Sequence, residues 1–269
     1  MSSLHLAPAA EAFDAVADRF DERFGGWLSV AAQRRAVRTQ LLRAFAEGSR
    51  ILEVGGGTGD DAEWLTRRGR TVQVTDASPA MVRIASRKLA GTAAPLPRIV
   101  AAENIGSLAP ALGMFEGAFS NFAALNCVQD LGTTARGLAS LVKPDGRALL
   151  VMFGTCCVGE WLVETLRGNP RAAARRFSRR EMPARLGGRH FTVKYHTADD
   201  VAQAFAPWFK LTGRRGIGIM VPPSAAEPWI SKHPGLVRTL ERCDQVLARP
   251  FASLGDHVLY DLTRTAAAA

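Results

Sequence analysis

A glycine-rich turn directly after a short apolar segment constrains the fold of this chain more than any other feature. Residues 50–54 form the apolar segment, and Gly55-Gly56-Gly57-Thr58-Gly59 follows it, ahead of a predicted helix over 60–68. Glycine permits a sharp turn without a Cβ clash and lets a ligand lie against the backbone. In open α/β sheets, ligands bind beyond the carboxyl ends of the strands. The turn therefore predicts a ligand-binding crevice.

Strand and helix patterns alternate on both sides of this turn. Ser78 is a good N-cap, and Pro79 at the first helical position opens a helix that runs to Leu89. Strands are predicted at 50–54, 71–75, 98–101, 117–121, 147–153, 210–221 and 257–263. This alternation predicts an α/β fold with a Rossmann-like, mostly parallel seven-stranded sheet and helices on both faces. The last two strands are expected to pair antiparallel at the sheet edge.

The chain divides into four predicted segments. Residues 1–48 form N-terminal helices over the cofactor site, and 49–154 form the Rossmann-like core. Residues 155–209 interrupt the strand pattern as a helical lid with one strand near 191–195, and 210–269 complete the sheet around a helical insertion. Long insertions on rigid scaffolds commonly carry binding function. The lid is therefore expected to select the substrate.

The glycine pattern differs from those that bind phosphates. A dinucleotide fingerprint starting at Gly55 would need its last glycine at position 60, which is Asp60. An acid at a helix N-terminus would repel a pyrophosphate. No Gly-Lys-Ser/Thr sequence follows, which excludes a P-loop. The ligand is therefore expected to lack a phosphate at this turn.

The pattern Glu53-x-Gly55-x-Gly57-x-Gly59 resembles motif I of the class I S-adenosylmethionine-dependent methyltransferases. The resemblance extends over roughly residues 10–153 and includes an acid, Asp76, at the end of the second strand. Ala102-Glu103-Asn104 follows the third strand, and Phe119-Ser120-Asn121-Phe122 looks like motif IV. The segment 141–147 is similar to the family's turn before strand five, with Asp145 where glycine is usual.

The resemblance implies a methyltransferase that binds S-adenosyl-L-methionine. Asp76 would hold both ribose hydroxyls, and Glu53 would order the glycine loop or hold the methionine amino group. Phe20, on a helix resembling the family's N-terminal motif, would close over the methionine end, and core packing is an equally open role for it. The implied cofactor-binding residues are Phe20, Glu53, Gly55, Gly56, Gly57, Gly59, Asp76, Ala77, Met81, Ala102, Glu103, Asn104, Asn121 and Phe122.

The methyl acceptor is less constrained. Motif IV lacks the Asn-Pro-Pro-Tyr pattern of adenine N-methyltransferases, which favours an oxygen or nitrogen of a small molecule. Two alternatives stay open: an RNA or protein methyltransferase that uses the arginine-rich segment 167–189, and a non-methylating S-adenosylmethionine-binding protein. The predicted catalytic residues are His196, Tyr195 and Asn121. His190 and His233 are further candidate bases by residue type, and His257 is expected to face out of a strand or cap it.

Composition limits the partners. The formal net charge is +9, with 34 basic residues, and the arginines of segment 167–189 are expected to lie mostly in water. Nucleic acid is an unlikely partner on this reading, and the oligomeric state is not predicted. The cysteines at 127, 156, 157 and 243 lack metal-ligand spacing, so no metal site is expected. The chain has no apolar run of 18 residues and no signal-peptide pattern at its start, so we expect no membrane span and a cytoplasmic location.

Overall fold

A seven-stranded sheet organises the protein, seen in a computed structural model that describes residues 6–169, 171, 174–178 and 180–266. The sheet has the order β3-β2-β1-β4-β5-β9-β8, and β6 and β7 form a separate hairpin. The strands are β1 Arg50–Val54, β2 Thr71–Asp76, β3 Arg98–Ile99, β4 Phe115–Ser120, β5 Val142–Phe153, β6 Met182–Leu186, β7 Arg189–Val193, β8 Phe209–Ile217 and β9 His257–Arg264.

Helices cover both faces of the sheet. Ser78 accepts a hydrogen bond from Met81 N–H (3.1 Å) at the start of α5, and Asp130 caps α7. The helices are α1 Pro8–Asp14, α2 Ala17–Gly25, α3 Leu28–Ala44, α4 Asp60–Thr66, α5 Pro79–Leu89, α6 Ala109–Leu112, α7 Leu131–Ala139, α8 Val158–Leu166, α9 Ala198–Phe205 and α10 Pro234–Leu247. None of the helices within the described ranges is long and apolar enough to cross a membrane.

Strand direction decides which residues meet at the edge of the sheet where the parallel strands end. The strands β1 to β5 pair in parallel, whereas β9 runs antiparallel between β5 and β8. The antiparallel strand thus lies one place in from the edge strand. Its first residue, His257, pairs with Phe153 at the end of β5. The beginning of β9 therefore lies at the same edge as the carboxyl ends of the parallel strands.

Two apolar layers fill the space between the sheet and its helices. Side chains alternate across a strand, so Leu52 and Leu150 contribute to one layer while Ile51 and Leu149 contribute to the other. All four are almost fully buried. This two-sided burial confirms the predicted α/β architecture with helices on both faces.

The lid segment contains a hairpin where mainly helix was expected. Strands β6 and β7 are joined by Gly187 and Gly188, which have φ values of +56° and +81°. Two-residue hairpin turns favour positive φ, and a Gly-Gly pair is a recognised signal for them. The expected strand near 191–195 therefore begins earlier, at Arg189, and has Met182–Leu186 as its partner.

Gly117 in the middle of β4 is required by close packing. A Cβ atom there would lie 2.4 Å from the Arg147 carbonyl oxygen and 2.4 Å from Phe45 Cε1. We predict that Gly117→Ala lowers the free energy of unfolding by about 1–3 kcal/mol, measured by denaturant titration. Gly235→Ala in α10 is the control, because a Cβ there meets nothing within 4 Å. Equal stability of the two variants would contradict this packing.

Candidate functional site

The glycine loop between β1 and α4 has an open side at Gly57. Gly55, Gly57 and Gly59 have φ values of +68°, +55° and +80°, a region that favours glycine. A Cβ at Gly55 would lie 2.4 Å from Ala124 Cβ, and one at Gly59 would lie 3.1 Å from Ala85 Cβ. A Cβ at Gly57 meets no protein atom within 4 Å. Two glycines therefore allow close packing, and the third leaves backbone accessible to a ligand.

Asp76 lies directly beside this open position. Its Oδ2 accepts a hydrogen bond from Gly57 N–H (2.9 Å), and its Oδ1 accepts one from Ser78 N–H (2.8 Å). Burial raises the pKa of Asp76, and the backbone donors act in the opposite direction. Each carboxylate oxygen has a second lone pair, so Asp76 can still accept hydrogen bonds from a ligand.

Glu53 provides a buried carboxyl group beneath the loop. Its Oε2 is buried without a hydrogen-bond partner within the described part of the chain. Burial raises the pKa of Glu53 well above its usual range, and the nearby Asp61 carboxylate adds to the effect, while Arg34 opposes it. A buried acid without a partner is costly unless something neutralises it. A cationic ligand at the loop would favour the ionised form of Glu53.

The N-terminal helices contact the glycine loop and α5. Asp14 Oδ1 accepts hydrogen bonds from Ser78 Oγ–H and Ala80 N–H, both at 2.8 Å. On α2, Asp21 accepts one from Thr58 Oγ1–H (2.6 Å) and pairs with Lys88 Nζ (2.8 Å). These contacts attach α1 and α2 to the elements that carry the motif.

Phe20 and Met81, both predicted to bind the cofactor, lie together in an apolar cluster with Phe13 and Ala17. Met81 is almost fully buried by protein atoms, whereas Phe20 also lines a cavity of about 460 Å³ between α2, α3 and α4. Ala77 lies half-buried beside them. The packing role left open for Phe20 is thus present in the structure, and its contact with a cofactor stays a prediction.

Three of the predicted cofactor-binding residues, Ala102, Glu103 and Asn104, lie on a 3₁₀ turn after β3. This turn spans Ala102–Leu108, and Ala102 is half-buried while Asn104 is exposed. Glu103 Oε1 accepts a hydrogen bond from Gln129 N–H (3.2 Å). Because Gln129 belongs to the segment between β4 and α7, this bond joins the ends of two strands at the crevice.

The segment after β4 has an unusual backbone. Phe122 and Ala123 have φ values of +48° and +62°, which are unfavourable for residues with a Cβ. The Asn121 side chain holds the backbone at this point. Its Nδ2 donates a hydrogen bond to Asp61 Oδ2 (2.7 Å), and its Oδ1 accepts one from Phe122 N–H (2.8 Å). Strain of this kind concentrates at functional sites. Asn121 therefore holds the motif IV loop, and both ends of its amide are engaged.

His257 lies in an aromatic cluster at the same edge, rather than facing out as expected. It is buried, stacks on Phe153 (ring centroids 4.8 Å apart) and meets Phe122 edge-on at 5.8 Å. Tyr195 lies 6.1 Å from Phe153, centroid to centroid. The expectation that His257 faces out of a strand was wrong, although the residue does stand at the end of one. It begins an antiparallel strand, and such a strand starts where its parallel neighbours end. We call Phe122, Phe153, Tyr195 and His257 the aromatic cluster.

A buried ion network lies behind the aromatic cluster. Asp256 Oδ2 is 3.4 Å from His257 Nδ1, and Asp256 Oδ1 accepts a hydrogen bond from Arg176 Nη2–H (2.6 Å). Arg176 Nε also donates to Glu160 Oε2 (2.6 Å). Burial opposes ionisation of Asp256, but His257 and Arg176 together hold its pKa below the usual value. No local pattern predicted this network, because Arg176 stands among arginines that were expected in water.

Cys157, Glu160 and Asp256 also come within metal-ligating distance of one another. Arg176 pairs with both of the carboxylates in this group, so a metal ion would have to compete with a buried guanidinium. Burial raises the pKa of the Cys157 thiol to about 12, which disfavours the thiolate that would bind a metal.

Of the other predicted bases, His196 is buried and His190 and His233 are exposed. The Nε2 atom of His196 is buried without a partner among the described residues, and burial lowers the pKa of its ring to about 4. Its backbone carbonyl accepts a hydrogen bond from the Tyr260 hydroxyl (3.4 Å). His196 is therefore a neutral imidazole, next in sequence to a member of the aromatic cluster.

Comparison with known proteins agrees with this geometry. A malonyl-[acyl-carrier protein] O-methyltransferase from Halorhodospira halophila is 34% identical over 148 residues, which is 53% of this chain and 46% of that protein. A demethylmenaquinone methyltransferase from Thermobifida fusca is 29% identical over 146 residues, 54% of this chain and 60% of that protein. The chain thus spans about half the length of the curated relatives it matches.

A solved structure shows the same fold at lower identity. An S-adenosylmethionine-dependent methyltransferase from Mesorhizobium loti superimposes with a TM-score of 0.55 and 18% identity, covering 88% of this chain and all of that one (100%).

Residues 30–207 match the family model described as a methyltransferase domain. The chain therefore belongs to the methyltransferase domain family, and its fold is that of the class I S-adenosylmethionine-dependent methyltransferases.

Proposed function

We propose that this chain transfers a methyl group from S-adenosyl-L-methionine to an oxygen or nitrogen atom of a small-molecule acceptor. One observation carries the proposal: the open backbone at Gly57, beside Asp76, lies at the same sheet edge as the aromatic cluster. One half of that edge suits a cofactor and the other half suits an organic acceptor. The names of the two relatives, which cite a carrier-bound malonyl group and demethylmenaquinone, support an organic acceptor.

The residues around the glycine loop fit the cofactor. Asp76 would accept hydrogen bonds from the two ribose hydroxyls. Glu53 Oε2, which has no hydrogen-bond partner among the described residues, would face a positively charged ligand. When bound, the cofactor would supply a methyl group carried on a sulfonium sulfur. That sulfur is a ready leaving group, because it departs as a neutral thioether. Further proposed contacts come from Phe20, Gly55, Gly56, Gly57, Gly59, Ala77, Met81, Ala102, Glu103, Asn104, Asn121 and Phe122.

His257 is the base that the geometry supports best. An acceptor O–H or N–H must lose its proton as the new bond to the methyl carbon forms, and an imidazole can take that proton. Burial and the nearby Arg176 lower the pKa of His257, while Asp256 opposes them, so the ring is neutral at pH 7. Its edge-on contact with Phe122 places it next to motif IV.

Tyr195, His196 and Asn121 complete the proposed catalytic set. Tyr195 lies against Phe153 and would orient the acceptor, and His196 is a second neutral imidazole on the same segment. Asn121 acts as a positioning residue, because its amide holds Asp61 and the strained Phe122 backbone.

We predict that Asp76→Ala weakens S-adenosyl-L-methionine binding by about 1.5–3 kcal/mol, the range for losing a hydrogen bond to a charged group. Isothermal titration calorimetry measures the change. Asp199→Ala is the control, because Asp199 is an exposed carboxylate in the first turn of α9. An affinity that stays at the wild-type value in Asp76→Ala would remove this carboxylate from the site.

Gly57→Val is predicted to abolish cofactor binding while the fold survives. The β-branched side chain would fill the space that the loop leaves open, and no protein atom lies there to clash with it. Gly48→Val is the control, because Gly48 (φ +83°) also has an open Cβ position and stands just before β1, at the end of that strand away from the motif. Circular dichroism checks folding. Normal binding by a folded Gly57→Val protein would show that the ligand lies elsewhere.

For the acceptor side, we predict that His257→Gln, Tyr195→Ala and His196→Ala lower methyl transfer while cofactor affinity stays near wild type. The measurement is transfer of labelled methyl to a metabolite extract, which also identifies the acceptor. Wild-type activity should fall as the pH drops through the pKa of His257, which lies below 6.5, because protonation removes the base. His257→Gln should lack this loss of activity at low pH, which we call the acid limb.

The exposed His233→Gln serves as the control for these substitutions. An unchanged acid limb in His257→Gln would exclude His257 as the base, and the same result in a His196→Gln protein would exclude His196. If no acceptor in the extract gains label while the cofactor binds normally, the chain is a non-methylating cofactor-binding protein.

A further inference from the structure

Helix α8 buries the carboxylate of Glu160 and exposes most of its apolar side chains. Glu160 is 3% exposed, whereas Val158, Trp161, Leu162 and Leu166 are 42%, 53%, 53% and 80% exposed. At 3.6 residues per turn these four apolar residues lie on one side of the helix, opposite Glu160. A surface helix normally turns its apolar stripe toward the core. The outward face of α8 is therefore an apolar stripe without a cover among the described residues.

The buried face of α8 fixes this orientation. Glu160 Oε1 pairs with Arg175 Nε (2.7 Å), and Glu160 Oε2 accepts a hydrogen bond from Arg176 Nε–H (2.6 Å). Val163 packs against a separate apolar cluster that includes Ile230. Rolling the helix to hide its apolar stripe would leave the Arg176 guanidinium buried beside an unpaired group, which is strongly unfavourable. The stripe therefore stays outward.

Arginines follow the stripe along the chain. Within the described part of segment 167–189, six arginines are exposed, and Glu181 is the one exposed acid. The six are Arg167, Arg171, Arg175, Arg180, Arg185 and Arg189. Three of the six pair with acids of the chain: Arg167 with Glu164, Arg175 with Glu160 and Arg189 with Glu11. Arg167 directly follows α8 and Arg175 contacts Glu160 within it, so the surface at this helix favours an anionic partner.

We propose that α8 docks onto the surface of an anionic lipid bilayer. Tryptophan and leucine on one helix face, with arginines alongside, match the chemistry of helices that lie in the headgroup region. The stripe projects outward, with Leu166 the most exposed of its members, and so suits insertion into a soft apolar layer rather than a pocket. A second copy of the chain is disfavoured, because a two-fold contact would bring two arginine-rich segments together.

Docking through α8 would bring the site close to the bilayer. The helix begins at Val158, five residues after Phe153 of the aromatic cluster, and Arg176 links it to Asp256. The carboxyl edge of the sheet would then lie near the membrane surface. This inference does not depend on the chemistry of the acceptor, and its test requires no acceptor.

The test is co-sedimentation of the full chain with phosphatidylcholine vesicles, with and without about one third phosphatidylglycerol. We expect binding to the anionic vesicles that weakens as ionic strength rises. The double variant Trp161→Gln/Leu166→Gln should lower the partition coefficient about tenfold or more. Val246→Gln in α10 is the control, because Val246 is an apolar residue as exposed as Leu166 (77% against 80%) but outside the stripe, and the change should leave binding unchanged.

Three results would overturn the proposal. The first is no binding of the wild-type chain to anionic vesicles, and the second is equal binding of the double variant and the Val246→Gln control. The third is a wild-type dimer by light scattering that the double variant converts to a monomer, since the stripe would then be an interface between copies. Cofactor affinity that stays unchanged in the double variant shows that the variant protein is folded. The vesicle experiment is then independent of the methyl-transfer assay that tests the proposed function.

Discussion

The Asp256 carboxylate connects three separate parts of the chain, and the acceptor side of the site depends on it. It receives Arg176 from the lid segment and Gln33 from α3, and it stands one residue before His257 at the start of β9. Arg176 also donates to the Asp256 backbone carbonyl (2.7 Å). A buried ion pair contributes little net stability, but removing one partner typically costs about 3–5 kcal/mol because the other charge stays buried. The network therefore specifies the position of the lid more than it stabilises the fold.

A second set of charges organises the cofactor side around Asp61. Arg38 Nε donates to Asp61 Oδ1 (2.7 Å) from α3, and Asn121 Nδ2 donates to Asp61 Oδ2 (2.7 Å) from the motif IV loop. This buried carboxylate thus ties α3, α4 and the end of β4 together. Its negative charge also raises the pKa of Glu53, and Arg34 acts in the opposite direction.

Local signals in the sequence predicted the fold and the cofactor loop, because each acts through its own backbone. Ser78 and Pro79 begin α5 as expected, and the glycines at 55, 57 and 59 adopt the positive φ that their pattern suggested. Asp145, which stands where the family has glycine, also has positive φ, at +62°. The Gly187-Gly188 turn was equally local, and its hairpin could have been found by the same reasoning.

The acceptor side could not be predicted in this way, because its residues meet only through tertiary structure. Phe122 and His257 are far apart in sequence and come together because β9 inserts antiparallel beside β5. No periodicity distinguishes Arg176 from the exposed arginines around it, since its burial depends on acids at 160 and 256. The sequence indicated which residue types were available for catalysis, and the order of the strands decided which of them meet.

The same tertiary arrangement sets the protonation state at His257. Burial is the largest influence on its pKa and lowers it, the Asp256 carboxylate acts against burial, and the Arg176 guanidinium acts with it. Because Arg176 pairs directly with Asp256, it neutralises much of the charge that would otherwise stabilise an imidazolium. Loss of Arg176 would leave Asp256 unpaired beside His257, and the ring would then hold a proton at higher pH. The buried arginine thus couples the position of segment 155–209 to the basicity of His257, the proposed base.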